Sequence, residues 1–338
     1  MINVSIGLLG VALQTAKGTA ATAPTFTHGL TGGGLVKPER TIESKPVACG
    51  LRANSSNSAY VSEVNMGVDF ESLAYADVLP LYAFAQCGNI VSSPAEESGY
   101  FKHVITLGSA LPYLTFWGQV GDTADATVQK AIGCKMDTLS LSFEGNAPID
   151  IGVTAAGIDA SLFGEWSDDQ EPSCFDGYFI PTSGEFLIDT ATNTPAAATV
   201  TKGDFELSNN LTAHRAAGNV IADELSEGKL TTAVNMTVIP DDFALIRKLL
   251  TGKVDGTTVT SRIVYGSAKW KFTHSQDEKC TLEVGMQNIP WNCEMPEIDP
   301  EGSAAEIQFS AEDIGIASKT GTPITITIVN NVQSYVTA

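Results

Sequence analysis

The sequence predicts a mainly β protein in which one strand-then-helix unit occurs twice. Three observations carry that reading. A tripeptide recurs half a chain apart: Val64-Asn65-Met66 lies in the strand-like run 60–68 and Val234-Asn235-Met236 in the run 230–238, at an offset of 170 residues in a chain of 338. Each run is followed by a helix-like segment, Tyr75 to Gly88 in the first half and Asp241 to Gly252 in the second. Equal spacing of strand and helix in both halves makes duplication the economical reading. The rest of the chain is dominated by short apolar-polar alternations bounded by turn residues, the period of half-buried strands.

Residues 14–46 are rich in Thr, Ala, Gly and Pro, contain Gly32-Gly33-Gly34 and Pro38, and hold neither a period of 2 nor of 3.6. They are expected to form an extended arm. The expected organisation is therefore an arm over 1–46, a first β unit over 47–200 and a second over 201–338, which suits the length of ordinary domains.

From Val47 onward the expected strands are 101–107, 113–120, 135–143, 149–154, 205–208, 230–238, 268–273, 280–286, 306–310 and 324–329. The clearest is Lys135 to Phe143, where Met136, Leu139, Leu141 and Phe143 fall mostly on one side and Ser or Thr on the other. Ile324-Thr325-Ile326-Thr327-Ile328 repeats the pattern with β-branched residues, which suit a pleated surface with one dry face. The first helix carries Pro80, tolerable only in an opening turn, so its regular part is expected to begin at Val78 or Leu79. The second follows Pro240 with Asp241 and Asp242, carboxylates that favour a helix N-terminus, and stops at Gly252. Leu245, Leu249, Phe243, Ile246 and Leu250 form its apolar face, and Arg247 and Lys248 point outward.

Charge excludes one broad class of function. The chain has 39 acidic and 19 basic side chains, a formal charge of −20. Wrapping a phosphate backbone needs clustered Lys and Arg, so tight nucleic-acid binding is not expected. Hydrophobic residues make up 43% and charged residues 17%, with a mean hydropathy of +0.07, the balance of a folded chain. The opening Met1 to Leu13 has no basic residue before Lys17 and is broken by Gly7 and Gly10, so no secretory signal is expected; a soluble protein made in the cytoplasm is.

No catalytic, cofactor-binding or metal site is expected. Cys49, Cys87, Cys134, Cys174, Cys280 and Cys293 are scattered without a C-x-x-C pair, and His28, His103, His214 and His274 stand far apart. Gly29 to Pro38 lacks the Gly-Lys-Ser/Thr ending of a phosphate loop. The acidic stretch Trp166 to Asp176, with Asp168 and Glu171, could hold calcium or serve a hydrolase, but it departs from the order of an EF-hand and is expected to be a solvated loop. The triplets at Asn54, Asn210 and Asn235 matter for glycosylation only in a secreted protein.

The stretch Gly10-Val11-Ala12-Leu13-Gln14-Thr15-Ala16-Lys17-Gly18-Thr19-Ala20-Ala21-Thr22-Ala23-Pro24 resembles the opening of the tail tube (major tail) proteins of long-tailed bacteriophages, of the type G-x-A-x-E/Q-T-x-x-G-T-A-A-x-x-P. Asp204 to Gly252 is similar to a later portion of the same family: a strand ending in Asn209-Asn210-Leu211, a loop with Gly218 and Glu227-Gly228, a strand and an acidic-led helix. Together the two stretches cover about 65 residues.

The resemblance implies β-barrel or β-sandwich tail-tube units, each flanked by an α-helix, whose sheets join edge to edge into rings that stack as a hollow tube in the virion. It implies no enzyme and no cofactor; the partners are copies of the chain, other tail proteins, and DNA passing without specific binding. Ring closure would remove exposed sheet edges, and an acidic bore would repel phosphate. Two units per chain would build a pseudo-six-fold ring from three chains, with six chains the alternative. Asp137, Ser140, Ser142, Thr231 and Asn235 are candidates for the bore, and the arm at 14–46 and the loop 121–133 for contacts between rings. The competing readings are a secreted or surface adhesin or carbohydrate-binding protein using Trp117, Trp166, Trp270 and Trp291, and another virion protein such as a tail terminator or capsid decoration protein.

Overall fold

The computed structural model describes residues 7–46, 56–121, 127–164, 173, 176–191, 195–296, 305–315 and 322–336. In chain order the strands begin with β1 (Gly7–Leu13), β2 (Phe26–His28), β3 (Gly32–Ser44) and β4 (Ala59–Leu73), followed by helix α1 (Leu79–Cys87). Next come β5 (Gly88–Pro94), β6 (Phe101–Leu107), β7 (Leu114–Val120), β8 (Thr127–Glu144), β9 (Asp150–Gly157) and β10 (Asp159–Gly164). β11 (Phe179–Asp189), β12 (Ala196–Ala197), β13 (Thr199–Ser208), β14 (Thr212–His214), β15 (Glu224–Ser226) and β16 (Thr231–Ile239) lead to helix α2 (Ala244–Thr251). The chain closes with β17 (Gly266–His274), β18 (Thr281–Ile289), β19 (Asn292–Cys293), β20 (Ile307–Glu312) and β21 (Ile324–Asn330).

The fold is mainly β and antiparallel, and neither large sheet closes into a barrel. Two sheets pack as a sandwich. One follows β3-β4-β9-β8-β13-β16-β20-β19, and the long β8 also carries β7, β1, β2 and β10 along its N-terminal half. The other runs β12-β11-β17-β18-β21-β6-β5. Alternation decides the layering: Met136, Leu139, Leu141 and Phe143 of β8, Phe205 and Leu207 of β13, and Val234, Met236 and Val238 of β16 are all buried. They meet Trp270, Phe272, Leu282, Val284, Ile326 and Ile328 of the second sheet in one continuous core. Phe143 packs against Phe186, Trp270 and Phe272 at centroid distances of 5.1, 5.3 and 5.2 Å, contacts worth about 0.5–1.5 kcal/mol each beyond area burial.

The expected strands are present, and several are longer than their apolar pattern. β8 spans 127–144 where 135–143 was expected, and its N-terminal part, with Lys130, Gly133 and Lys135, breaks simple alternation. α1 starts at Leu79 with Pro80 in its first turn, and α2 starts at Ala244. Asp242 accepts the Ala244 N–H at 2.7 Å, so the leading carboxylate acts from two residues before the regular helix. Each helix ends in a left-handed glycine, Gly88 at φ 87° and Gly252 at φ 74°, a conformation glycine adopts without Cβ strain.

The expectation of an extended arm over 1–46 is corrected for the described residues 7–46, most of which are built into sheet. β1 lies between β2 and β7 with Leu9 and Val11 fully buried, and β3 pairs with β4 from Gly32 to Ser44. β1 is a short apolar run broken by Gly7 and Gly10, and β3 is polar, Gly-rich and largely solvent-facing at the residues whose side chains are described, so neither shows a strand period. The boundary expected at 200/201 falls inside β13, and both large sheets draw strands from either side of it.

Candidate functional site

The eight-strand array leaves one broad polar face. Its dry face is covered by the second sheet and, at the β4 end, by α1, β7 and β2, so the opposite side chains of the same strands remain in water. Cross-strand register sets them in rows. One row runs Glu312, Ala233, Glu206, Ser140, Gly152, Glu71 across β20, β16, β13, β8, β9 and β4. The adjacent row runs Ser310, Asn235, Asp204, Ser142, Asp150. Asp69 and Glu144 add further carboxylates, and Lys202 is cross-strand from Glu144 with its Nζ 3.9 Å from that carboxylate. The outer face of the second sheet differs: Lys102, Lys269 and Lys271 face it, and Lys269 pairs with Glu283 at 2.9 Å.

Of the five polar residues expected on the wet side, Ser140, Ser142, Thr231 and Asn235 lie on this face. Asp137 sits at a register shift in β8, where its carboxylate accepts the Leu211 N–H at 2.9 Å and anchors the loop after β13.

Both ends of the array are open among the described residues. At one end β3 pairs only with β4. Beyond Met66, where β4 leaves β9, the two strands continue as a ribbon that exposes Ile42, Tyr60 and Val61. Its base is gripped by the loop after β14: the Val64 N–H donates to the Val220 carbonyl at 2.7 Å, and Arg215 pairs with Glu63 at 3.2 Å and bonds Asn65. At the other end β19 covers only Ser310 and Phe309 of β20, beside a polar groove of about 720 Å³ lined by Asn235, Asn292, Glu294, Glu306, Gln308 and Glu312 among others. Of the expected bridging loop 121–133, residues 127–133 belong to β8 and 122–126 lie outside the described residues.

The opening stretch is fixed by its polar residues. Gln14 donates to the Leu114 carbonyl at 3.0 Å and to Thr115 Oγ1 at 2.7 Å, and Thr115 Oγ1 also receives the Ala21 N–H at 3.1 Å. Lys17 reaches Glu224 at 2.5 Å, and Tyr113 donates to the same carboxylate at 2.7 Å. These donors, Lys17 first, lower the Glu224 carboxyl to about 2. Lys135 is buried beneath this knot, donating to the Leu225 carbonyl at 3.0 Å and to Glu227 at 2.7 Å, with its ammonium 4.7 Å from the Tyr113 ring centroid. Sequence reasoning missed Lys135 because it is a cation in a strand's apolar run; that break in alternation was its only signal.

The histidines do not converge. His28 is buried and joins Tyr82, His103 meets Asn330 and Ser92, His214 meets Ser226, and His274 packs on Phe179. Among the described residues no cluster of His, Cys, Asp and Glu could hold a metal. Cys87, Cys134, Cys280 and Cys293 are free thiols. Cys49, Cys174, Trp166, Asp168 and Glu171 lie outside the described residues. Trp117, Trp270 and Trp291 are buried, so none of the three offers an aromatic platform to a sugar. No family model matches the chain, and no curated protein is significantly similar to it.

Proposed function

We propose that this chain is a structural subunit of a bacteriophage tail tube, assembling into rings that stack around an acidic bore through which DNA passes. The observation that carries the reading is the strand order of the polar-faced array. Read from its free β3 end, the array is β3-β4-β9-β8 and then β13-β16-β20-β19. In each quartet the second strand leads to a helix closed by glycine: β4 to α1, and β16 to α2. The two Val-Asn-Met tripeptides do not occupy matching places, since Val64–Met66 lies where β4 leaves β9 and Val234–Met236 pairs with both β13 and β20. After each helix the chain enters the second sheet as a hairpin, β5-β6 after α1 and β17-β18 after α2.

On this reading the two quartets are two tail-tube units side by side, joined where β8 meets β13. Three chains then close a ring of six quasi-equivalent units, with β3 of one copy meeting the β19 edge of the next. Closure pairs backbone groups that a lone chain leaves to water. The polar face becomes the bore, because the opposite face is already packed. Asp69, Glu71, Asp150, Asp204, Glu206 and Glu312 then line it, and their charge keeps phosphate from adhering. The ribbon tip around Ile42 and Tyr60 projects from the array and is assigned to contacts between rings.

Electron microscopy of the purified protein over a range of concentrations tests the reading. Hollow filaments whose averaged cross-section has three-fold symmetry with six similar lobes are expected. Material that stays monomeric throughout would refute it, and single unstacked rings would favour a terminator instead.

A further inference from the structure

The two helices occupy matching places in the two quartets but are buried very differently. In α1, Leu79, Pro80, Leu81, Tyr82, Ala83, Ala85, Gln86 and Cys87 are buried; in α2, only Ile246 is. α1 owes part of its cover to the junction with the next quartet, since Gln86 donates across it to the Leu207 carbonyl of β13 at 2.9 Å. Superposing the glycine stops Gly88 and Gly252 places Leu250 where α1 has Gln86. Leu250 instead borders a groove of about 380 Å³ with Leu249, Val259, Ile263, Trp291 and Cys293. Val259 is 70% exposed and Ile263 69%, so the groove is apolar and open to water in the lone chain. It adjoins β19, the short strand at the end of the array.

We propose that this α2 groove is the docking site for β3 of a second copy of the chain, the counterpart of what β13 is to α1 inside one chain. The proposal rests on the tube reading and names the contact that closes the ring. The strand order selects the occupant: the quartet after α1 begins with β13, and the strand that begins a quartet and has an unpaired edge is β3. Where the internal junction uses the Gln86 amide, the junction between chains uses Leu250 and its neighbours, an apolar contact that is satisfied only on association.

A photo-reactive phenylalanine analogue at Val259, in a mixture of isotopically light and heavy chains, reads the contact directly. Light-to-heavy cross-links to residues 33–39 are expected in assembled material, because pairing through β16 and β4 makes Val36 the counterpart of Leu207. Rings that form with cross-links only to other segments would overturn the proposal and leave the tube reading intact; a protein that forms no rings would sink both. The double variant Val259→Asp, Ile263→Asp alters two side chains already in water, so the melting temperature of the lone chain should be unchanged. Its assembly should need at least tenfold more protein, and assembly at the parent concentration would overturn the proposal.

Discussion

The side-chain amide of Gln86, near the end of α1, donates to the main-chain carbonyl of Leu207 in β13, 121 residues further along the chain. The same nitrogen reaches the Asp137 carbonyl of β8 at 3.1 Å, so one side chain ties the last strand of the first quartet to the first strand of the second. Asn209 reciprocates, donating to the carbonyls of Gln86 and Met136, each at 3.0 Å. All of this lies in the buried interior, where an unmade hydrogen bond costs more than a made one returns.

Gln86→Leu should therefore destabilise the folded chain by about 1–3 kcal/mol, although leucine is about as good a helix former. Asn209→Ala should act in the same direction. Because the two side chains share partners, a double-mutant cycle by urea unfolding should return a coupling of roughly 0.5–3 kcal/mol; strict additivity would show that the clasp is not one unit.

Acid should weaken the fold through His28. Burial lowers its pKa from 6.5 to about 4, and its ring is held neutral between the Tyr82 hydroxyl, 2.6 Å from Nε2, and the Gly29 carbonyl, 2.9 Å from Nδ1. The unfolded chain takes up the proton first as pH falls. Stability is thus complete above the unfolded value of 6.5, drops as pH falls toward 4, and levels below that. The loss is on the order of 3 kcal/mol over the window. His103, also lowered by burial, adds to the fall; Asp77, raised by burial, partly offsets it. Unfolding free energies measured from pH 7 to pH 4 should show the slope, and His28→Asn should flatten it.

Gly203 is a packing position. A Cβ there would sit 2.5 Å from a ring carbon of Phe143 and 3.2 Å from Trp270, inside the aromatic cluster that joins the sheets. Gly203→Ala should cost about 1–3 kcal/mol by overpacking, with a changed near-ultraviolet circular dichroism signal from Trp270. An unchanged melting temperature would mean that the cluster yields more easily than its contacts imply.

Reversing charge on the polar face tests the bore. Glu71→Lys, Asp204→Lys and Glu206→Lys together alter exposed or half-exposed side chains, so folding should persist. Assembled parent protein should not retain DNA, whereas the triple variant should bind it with an affinity that falls steeply as salt is raised. Equal behaviour of the two would remove the functional argument from charge.

Much of the fold was legible where a strand has one dry face. The pattern at Lys135–Phe143 marked the central strand, and Ile324–Val329 marked β21 almost to its ends. The helices were readable from Pro80, Asp242 and their glycine stops. β3 was not, because a strand exposed along much of its length needs no alternation, and β1 was masked by glycine. The pairing of β8 with β13 left no local trace either, since a hydrogen bond spanning 121 residues is written only as a lone glutamine among Ala85 and Cys87. The acidic face was foreseen as a charge total; only register could say which acids share it.

The covalent joining of the quartets at β8 and β13 has a consequence for how a ring would be built. Half of its seams would be completed during the folding of each polypeptide, independent of dilution, and only the alternate seams would answer to mass action. The two kinds of seam would then be free to diverge in chemistry, one fixed by a buried amide for permanence, the other left oily and reversible so that misjoined copies can separate and try again.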